Sequence, residues 1–219
     1  MDDRIETRFK NVSKSVTFGN IVKSLGLREK KVLDLGCSYG EFLAHFGPGS
    51  VGVTLAEEEV AYGKKKGLDI RLGNIEEGEL PVNETFDVVF ANNLFEHLYS
   101  PHGFLFRVKR LLRHDGVLIL GVPCIPKIAS LSRLRKFRGA LASAHINFFT
   151  RETLTRTVER AGWNILAVRG FHFRMALIDR FLNPIYPHFY VIAVPDPSFV
   201  YPEKRRKELT GYADSKFRT

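Results

Sequence analysis

The sequence has few cysteines and no long apolar run. These two absences argue against a disulfide-stabilised protein and against a membrane-spanning one. Its 219 residues include two cysteines, Cys37 and Cys124, which lie far apart and imply no disulfide framework. No Cys/His cluster has the spacing of metal ligands, so we expect no metal site. No apolar run reaches the length of a membrane span, and the charged start Met1–Arg4 lacks the apolar core of a secretory signal. These absences favour a cytoplasmic protein that can still contact a membrane peripherally.

The composition is that of a globular protein with a basic surface. Apolar residues make up 44% of the chain and the net charge is +9, values that suit one domain with a substantial core. The positive charge concentrates in three runs, 64–66, 133–138 and 204–207. The first run is expected to be a solvated helix end, where lysines complement the helix dipole. The second run would suit an anionic substrate, a lipid surface or an RNA backbone.

Short apolar strands alternate with helical patterns, which predicts an α/β protein. Glycines and prolines separate the segments, and Thr150 with Glu152 predicts a helix start. The predicted strands lie near 31–35, 50–54, 69–72, 86–91, 116–122, 163–170 and 188–194. The predicted helices lie near 18–26, 40–46, 57–67, 101–112, 150–161 and 174–182.

The most informative stretch is VLDLGCSYG, residues 32–40. Glycines at a strand–helix junction let a ligand lie against bare backbone. A dinucleotide site would read G-x-G-x-x-G, with a pyrophosphate over the helix N-terminus. Here Asp34 precedes Gly36, and Ser38 stands where a second glycine would lie before Gly40. An acid beside the turn favours a cationic ligand over a pyrophosphate.

This stretch resembles motif I of the class I S-adenosylmethionine (SAM) methyltransferases, whose ligand carries a sulfonium and an ammonium. The resemblance implies SAM as cofactor, S-adenosylhomocysteine (SAH) as product, and a Rossmann-like, seven-stranded, mostly parallel sheet. Helices would cover both faces of that sheet, and its last strand would be antiparallel. Residues 1–195 would form the single SAM-binding domain, and 196–219 a polar, basic tail. The resemblance implies cofactor contacts from Asp34, Gly36, Cys37, Ser38 and Gly40.

The second strand ends in VGVTLAEEEV, which resembles the GVTLS-type strand end of cyclopropane-synthase-like methyltransferases. In that pattern a threonine and a polar residue five positions later hold the ribose. The resemblance implies these roles for Thr54 and Glu59, with Leu55 also at the cofactor. The alternative is that the glutamates 57–59 only form the acidic first turn of a helix.

The third strand ends in Gly73-Asn74-Ile75, at the point where this superfamily holds the adenine. The resemblance implies that the Asn74 amide meets the exocyclic amine and that Ile75 covers the ring face. Asn can both accept from the amine and donate to a ring nitrogen. The alternative is a turn asparagine that follows a glycine.

The fourth strand continues as FDVVFANNLFEHL, which resembles the FDxVxxxxxxEHL segment of small-molecule methyltransferases near the ubiquinone- and menaquinone-biosynthesis enzymes. The resemblance implies that Asn92 and Asn93 lie at the methionine end of SAM. Glu96 and His97 would serve as a general acid and base, or would only cap and tether the loop after the strand.

A histidine further along offers a third candidate for proton transfer. His145 begins the HINFFT segment, which resembles an HxxFFT segment of the same family. Histidine changes charge near neutral pH, so His145 could accept a proton from a substrate hydroxyl. The alternative is a hydrogen bond to the lid backbone.

Residues 123–149 form a long connection that we expect to be the substrate lid. The segment mixes leucines and Phe137 with arginines, as an amphipathic cover over an anionic, lipid-like small molecule would. The fourth-strand segment lacks the N-P-P-[FY] tetrapeptide of base-modifying enzymes. Methyl transfer to a small molecule is therefore favoured, by in-line displacement. An RNA or protein methyltransferase, or a non-catalytic SAM-binding protein suggested by Ser38 and Thr54, are the alternatives.

Overall fold

A computed structural model describes residues 2–127, 139–173, 175, 177–178 and 186–202. Thr150 caps the last helix in these ranges, because its hydroxyl accepts from Thr153 N at 3.2 Å while its own N–H donates to Thr153 Oγ1 at 2.9 Å. The predicted start of that helix is confirmed. The described helices are α1 (Asp2–Ser13), α2 (Val16–Ser24), α3 (Glu57–Lys65), α4 (Pro101–Lys109) and α5 (Arg151–Arg160).

The strands form one mixed sheet in the order β3-β2-β1-β4-β5-β8-β7, with a short β6 paired to β5 outside this path. The pairs among β1 to β5 are parallel, and β8 is antiparallel to both β5 and β7. The mostly parallel, Rossmann-like sheet with an antiparallel last strand is therefore confirmed. The strands are β1 (Val32–Leu35), β2 (Val51–Thr54), β3 (Ile70–Leu72), β4 (Phe86–Asn92), β5 (Leu112–Ile125), β6 (Phe149–Thr150), β7 (Trp163–Arg169) and β8 (His188–Pro195).

Helices cover both faces of the sheet, because successive strand residues point to opposite sides. On one face, Leu105 of α4 and Leu154 of α5 share a buried cluster with Val89 of β4. On the other face, Phe18 of α2 packs in a second cluster with Phe90. Each such side chain contributes about 1.5–3 kcal/mol when it is fully buried. The loops at the strand ends are therefore anchored to a sheet whose two faces are both well packed.

The carboxyl ends of β1, β2, β3 and β4 meet at one edge of the sheet, since these strands run parallel. β8 runs the opposite way, so its first residue, His188, lies at the same edge, where it pairs with Pro123 of β5. Ligands of open α/β sheets bind in the crevice outside this edge. The candidate site is therefore built from the loops that follow β1 to β4 and from the start of β8.

The predicted helix at 40–46 is wrong, because this segment forms turns and a single 3-10 turn, Leu43–His45. Gly47 explains the difference. Its N–H donates to the carbonyls of Leu27 and Lys30 at 3.0 and 3.1 Å. A Cβ at position 47 would lie 2.6 Å from Lys30 O. The chain is thus pinned to the loop before β1 and has no length for a regular helix.

Two further elements differ from the sequence pattern. α1 has no predicted counterpart, because half of its sequence DDRIETRFKNVS is charged and only Ile5, Phe9 and Val12 are apolar. β5 begins at Leu112, where we predicted the end of a helix, because Leu112 pairs with Phe86 across an irregular step in the ladder. α4 accordingly ends at Lys109.

The predicted lid, 123–149, is only partly described. Its first residues, Pro123 to Ile125, continue β5, and residues 139–148 lead into β6. The basic run 133–138 and most of the tail 196–219 lie outside the described residues, as do six of the nine residues of the predicted helix at 174–182. Within the described ranges, no helix combines the length and the apolar character that a membrane span requires.

Candidate cofactor and catalytic site

The turn after β1 has an unusual backbone. Gly36 and Gly40 have φ of 73° and 88°, and Ser38 between them has φ of 50° although it carries a side chain. The N–H groups of Gly36 and Cys37 both donate to Val53 O, at 2.9 and 3.1 Å. The turn is therefore tied to β2, and the first two strand-end loops keep a fixed relation.

Asp34 and Glu41 place two buried carboxylates at this turn. One oxygen of each, Asp34 Oδ2 and Glu41 Oε2, has no hydrogen-bond partner among the described residues. Burial raises the pKa of Asp34 well above its ordinary value, and the nearby charge of Glu41 raises it further. Buried acceptors without partners are costly. The pair is therefore suited to a ligand that brings N–H donors and positive charge.

The Cys37 side chain packs into the core beside this turn, and its contact with a cofactor stays a prediction. The side chain is buried in a small cluster with Leu43 and Ile70. A Cβ at Gly52 would lie 2.6 Å from Cys37 Sγ, so the glycine in β2 makes room for the thiol. Burial raises the pKa of that thiol.

The carboxylate of Glu59 connects the first two loops. Thr54 donates a short hydrogen bond to Glu59 Oε2, and Ser38 donates to Glu59 Oε1 at 2.8 Å. Leu55, next to Thr54, is 70% exposed. The residues predicted for the ribose thus lie together beside an exposed apolar side chain. Their contact with a ribose stays a prediction.

The third-strand residues are placed differently from one another. Gly73 N donates to Thr54 O at 2.8 Å, which brings this loop next to the second one. Asn74 Oδ1 accepts from Glu76 N at 2.9 Å, as in an asparagine-centred turn. Ile75 is buried in the main core. The adenine contacts stay a prediction. In this conformation the Asn74 amide holds its own turn and the Ile75 side chain packs in the core.

The loop after β4 approaches the turn after β1 and the start of β8. A Cβ at Gly36 would lie 3.1 Å from Leu94 Cδ1. Asn93 has φ of 53°, and its Oδ1 accepts from His188 Nε2 at 2.9 Å. Asn92 Oδ1 is buried and has no hydrogen-bond partner among the described residues. A Cβ at Gly121 would clash with Asn92 Oδ1, so this amide packs against β5. The contact of both asparagines with the methionine end of SAM stays a prediction.

His188 also lies at this edge of the sheet, and the sequence analysis does not identify it as a candidate. Burial lowers the pKa of His188 to about 4, and the charge of His172 acts in the same direction. The ring is therefore neutral at pH 7 and donates to Asn93 through Nε2–H. The topology could have indicated it, because a residue that opens an antiparallel last strand lies at the carboxyl edge of its parallel neighbours.

Glu96, His97 and His145 converge although they come from two separate segments. The Nε2 atoms of His97 and His145 lie 3.9 and 3.8 Å from Glu96 Oε1. The two imidazole rings meet edge to face, with their centroids 4.7 Å apart. Ile146 N and Asn147 N donate to Glu96 O at 3.1 and 3.0 Å, which holds the second segment over the first.

The chemistry of this triad follows from its hydrogen bonds. His97 Nδ1 lies 3.0 Å from Ala144 O, and His145 Nδ1 lies 3.5 Å from Ala140 O. A ring nitrogen that faces a carbonyl carries the proton, so each Nε2 presents a lone pair toward Glu96. Glu96 is buried, its carboxylate oxygens have no hydrogen bond within the described ranges, and burial raises its pKa. The triad can accept a proton.

The same three residues also form a donor set that a divalent metal ion could use. Their ligand atoms all lie within 4.8 Å of one another, and two imidazoles oriented through Nδ1–H suit such an ion. The spacing in the sequence does not reveal the grouping, because His145 reaches Glu96 only through the fold.

Comparison with known proteins identifies the family. A family model described as "Methyltransferase domain" matches residues 10–168, more than half of the chain. The mitochondrial ubiquinone biosynthesis O-methyltransferase of Schizosaccharomyces pombe is 27% identical over 159 residues, which cover 64% of this chain and 57% of that protein. The chain therefore spans little more than half the length of this relative.

Solved methyltransferase structures share the fold. The putative methyltransferase bound to the Trm112 activator of Haloferax volcanii aligns with a TM-score of 0.63 at 16% identity, covering 91% of this chain and 97% of that one. A SAM-dependent methyltransferase from Clostridium acetobutylicum aligns with a TM-score of 0.59 at 12% identity, covering 82% and 89%.

The sheet order, the glycine turn after β1 and the family match define a class I methyltransferase fold. The chain therefore belongs to the family of proteins that carry this methyltransferase domain.

Proposed function

We propose that this enzyme transfers the methyl group of SAM to a hydroxyl oxygen of a small, partly apolar acceptor. The observation that carries the proposal is the Glu96–His97–His145 triad, because it gathers proton acceptors at the loop that also contacts the glycine turn through Leu94. A hydroxyl must lose its proton as it is methylated, whereas many other nucleophiles need no base.

The exposure and contacts of the three side chains support a different role for each member of the triad. His145 is 11% exposed in its side chain and presents Nε2 toward Glu96, so it accepts the hydroxyl proton. Glu96 stabilises the imidazolium that forms, because a buried carboxylate nearby favours the charged ring. His97, whose side chain is 39% exposed, packs edge to face on His145 and keeps that ring in place.

The reaction is an in-line displacement. Bound SAM supplies an electrophilic methyl carbon on a sulfonium. The acceptor oxygen forms a bond to this carbon while the carbon–sulfur bond breaks and its electron pair remains on sulfur. The proton of the hydroxyl passes to Nε2 of His145. Correct placement of the two reactants in a water-poor crevice supplies much of the rate enhancement.

Exposed apolar side chains near the triad support an acceptor with an apolar tail. Tyr99 follows the Glu96 loop, while Leu141, Ile146 and Phe148 lie on the segment that Glu96 O holds in place. These four side chains are between 49% and 90% exposed. Singly exposed apolar residues are ordinary, but a group of them beside a polar site suits a substrate with apolar surface. We propose that Leu141, Ile146 and Phe148 belong to the described part of the lid predicted at 123–149.

The comparisons support an oxygen acceptor as well. The Schizosaccharomyces pombe relative is named an O-methyltransferase of ubiquinone biosynthesis. Since this chain spans little more than half of that relative, the similarity favours an oxygen atom and a hydrophobic acceptor and leaves its structure open. We also propose a cytoplasmic location, which the two free, buried cysteines Cys37 and Cys124 support.

The proposal is tested with labelled SAM and a series of phenols that carry alkyl tails of increasing length. The assay contains a chelator, so that transfer reports the side chains and not a metal ion. We expect methyl ethers as products, with kcat/KM rising as the tail lengthens, because each buried methylene contributes about 0.8 kcal/mol. His145→Gln should lower kcat by roughly 10²–10⁴-fold.

His114→Gln is the matched control, because His114 is exposed at the start of β5. Full activity of His145→Gln, or loss of wild-type activity in the chelator alone, would contradict the proposed base. Transfer into RNA that weakens steeply with salt would instead favour the nucleic-acid alternative. SAM binding without transfer to any acceptor pool would favour the non-catalytic one.

A further inference from the structure

Helix α1 lies against both walls of the cofactor crevice. Arg8 Nη2 donates to Ser38 Oγ at 3.1 Å and forms a short ion pair with Glu41, so it reaches the turn after β1. Glu6, about half a turn earlier, accepts from Tyr62 Oη at 2.7 Å and from Lys66 Nζ at 2.5 Å, at the end of α3. α1 therefore bridges the first loop and the third helix.

Ring contacts complete this bridge. Tyr39 of the glycine turn and Tyr62 of α3 meet edge to face, with their centroids 5.5 Å apart. Phe9 of α1 lies 6.1 Å from Tyr62, and the Arg8 guanidinium lies 5.5 Å from the centre of the Tyr39 ring. Such pairs contribute about 0.5–1.5 kcal/mol each, so together they stabilise the contact of α1 with the turn and with α3.

The charges around Arg8 show what it can bind. Asp34 and Glu41 each keep one buried oxygen without a hydrogen bond to the described residues, which suits the ammonium of the amino-acid end of SAM. That end also carries a carboxylate, which needs a cation. Arg8 makes both of its hydrogen bonds through Nη2, and the described residues use neither its Nε nor its Nη1. The guanidinium therefore has N–H donors left for a carboxylate.

We infer that Arg8 is a cofactor-binding residue, which closes α1 over the crevice by pairing with the carboxylate of SAM. The position precedes residue 10, where the match to the family model begins, so the family resemblance does not assign this role. Ser38 and Glu41 hold the guanidinium at the glycine turn, and the planar fork recognises the carboxylate. The inference rests on SAM binding alone and does not depend on the acceptor.

The test compares two ligands by calorimetry, SAH and 5′-methylthioadenosine, which lacks the amino-acid carboxylate and ammonium. We expect Arg8→Ala to weaken SAH binding at least tenfold and to leave the affinity for 5′-methylthioadenosine within twofold of wild type. Arg8→Lys should recover part of the loss, because it keeps the charge without the fork. Arg4→Ala, on an exposed position of the same helix, is the control and should bind both ligands normally.

Two outcomes would overturn the inference. An equal loss for both ligands would mean that Arg8 acts only by holding α1 in place. Unchanged SAH affinity in Arg8→Ala would mean that the carboxylate is bound elsewhere. A melting temperature measured without ligand shows whether each variant is folded, and Arg8→Lys supplies the comparison if the alanine variant is not.

Discussion

Ser38 donates a hydrogen bond of 2.8 Å to Glu59, which joins the left-handed turn after β1 to the first turn of α3. The same hydroxyl accepts from Arg8 at 3.1 Å. A serine at the place of a glycine thus exchanges backbone strain for two hydrogen bonds, and substitutions at this position separate the two effects.

Ser38→Gly should leave the free energy of unfolding nearly unchanged. Glycine relieves a left-handed conformation that costs roughly 1–2 kcal/mol for other residues, while the two lost hydrogen bonds contribute about 0.5–1.5 kcal/mol each. Ser38→Ala keeps the strain and loses the bonds, so it should be less stable by about 1–3 kcal/mol in urea unfolding. An alanine variant more stable than the glycine variant would contradict this account.

Glu59→Gln should weaken SAH binding by roughly 10- to 100-fold, because a hydrogen bond to a charged acceptor contributes about 1.5–3 kcal/mol. Glu58→Gln is the matched control, since Glu58 is exposed in the same helical turn. Calorimetric titration of both variants gives the comparison. Equal SAH affinities for the two variants would show that Glu59 does not bind the cofactor and only belongs to the acidic first turn of α3.

Gly36→Val should abolish SAM binding, because a side chain there combines φ of 73° with a contact at 3.1 Å to Leu94 and fills the ligand crevice. Gly67→Val is a close control. Gly67 also has φ of 73°, but a Cβ there meets nothing within 4 Å. Both variants should lose stability through the same strain, and only Gly36→Val should lose binding in calorimetry. Normal SAM affinity in Gly36→Val would show that the glycine turn does not contact the cofactor.

Glu96→Gln should raise stability at neutral pH while it lowers methyl transfer. Burial raises the pKa of Glu96, so its contribution to stability is complete below the ordinary pKa of about 4.3 and is lost as pH rises through the raised value. The glutamine variant does not titrate, so its melting temperature should exceed that of wild type at pH 7.5 and lose this advantage near pH 4.

Glu152→Gln provides a control of opposite sign. Its hydrogen bond to Lys127, at 2.8 Å, lowers the pKa of Glu152, so its contribution is present above the ordinary value. This variant should gain nothing at pH 7.5. A lower melting temperature for Glu96→Gln at pH 7.5 would show that the histidines hold Glu96 in its charged form.

The strands and the local motifs could be predicted from the sequence because each is encoded within a few neighbouring residues. Apolar runs such as 32–35 and 86–91 identify buried strands, and their order in the chain places Asp34, Thr54 and Asn93 at one edge of the sheet. The short spacing from Thr54 to Glu59 already contains their contact, since a strand end and the next helical turn bring them together.

Features that depend on distant segments could not be predicted in this way. Arg8 lies on a helix with only three apolar residues, and its partner Glu41 is reached only through the fold. His145 meets Glu96 across a connection with no regular pattern. The segment 40–46 has the apolar spacing of a helix, but hydrogen bonds from Gly47 to an earlier loop shorten it. In each case a tertiary contact decided the outcome.

The late position of β8 in the chain has a consequence for folding. β5 ends at Ile125, yet the strand that covers its second edge begins only at His188, and β7 is paired with β8. A growing chain that has emerged only through β7 therefore exposes β5 as an open edge with apolar residues on both faces, a state that invites pairing with other chains. Closure of the sheet waits for the last strand, so newly made protein should depend on chaperones most strongly just before residues 188–195 leave the ribosome.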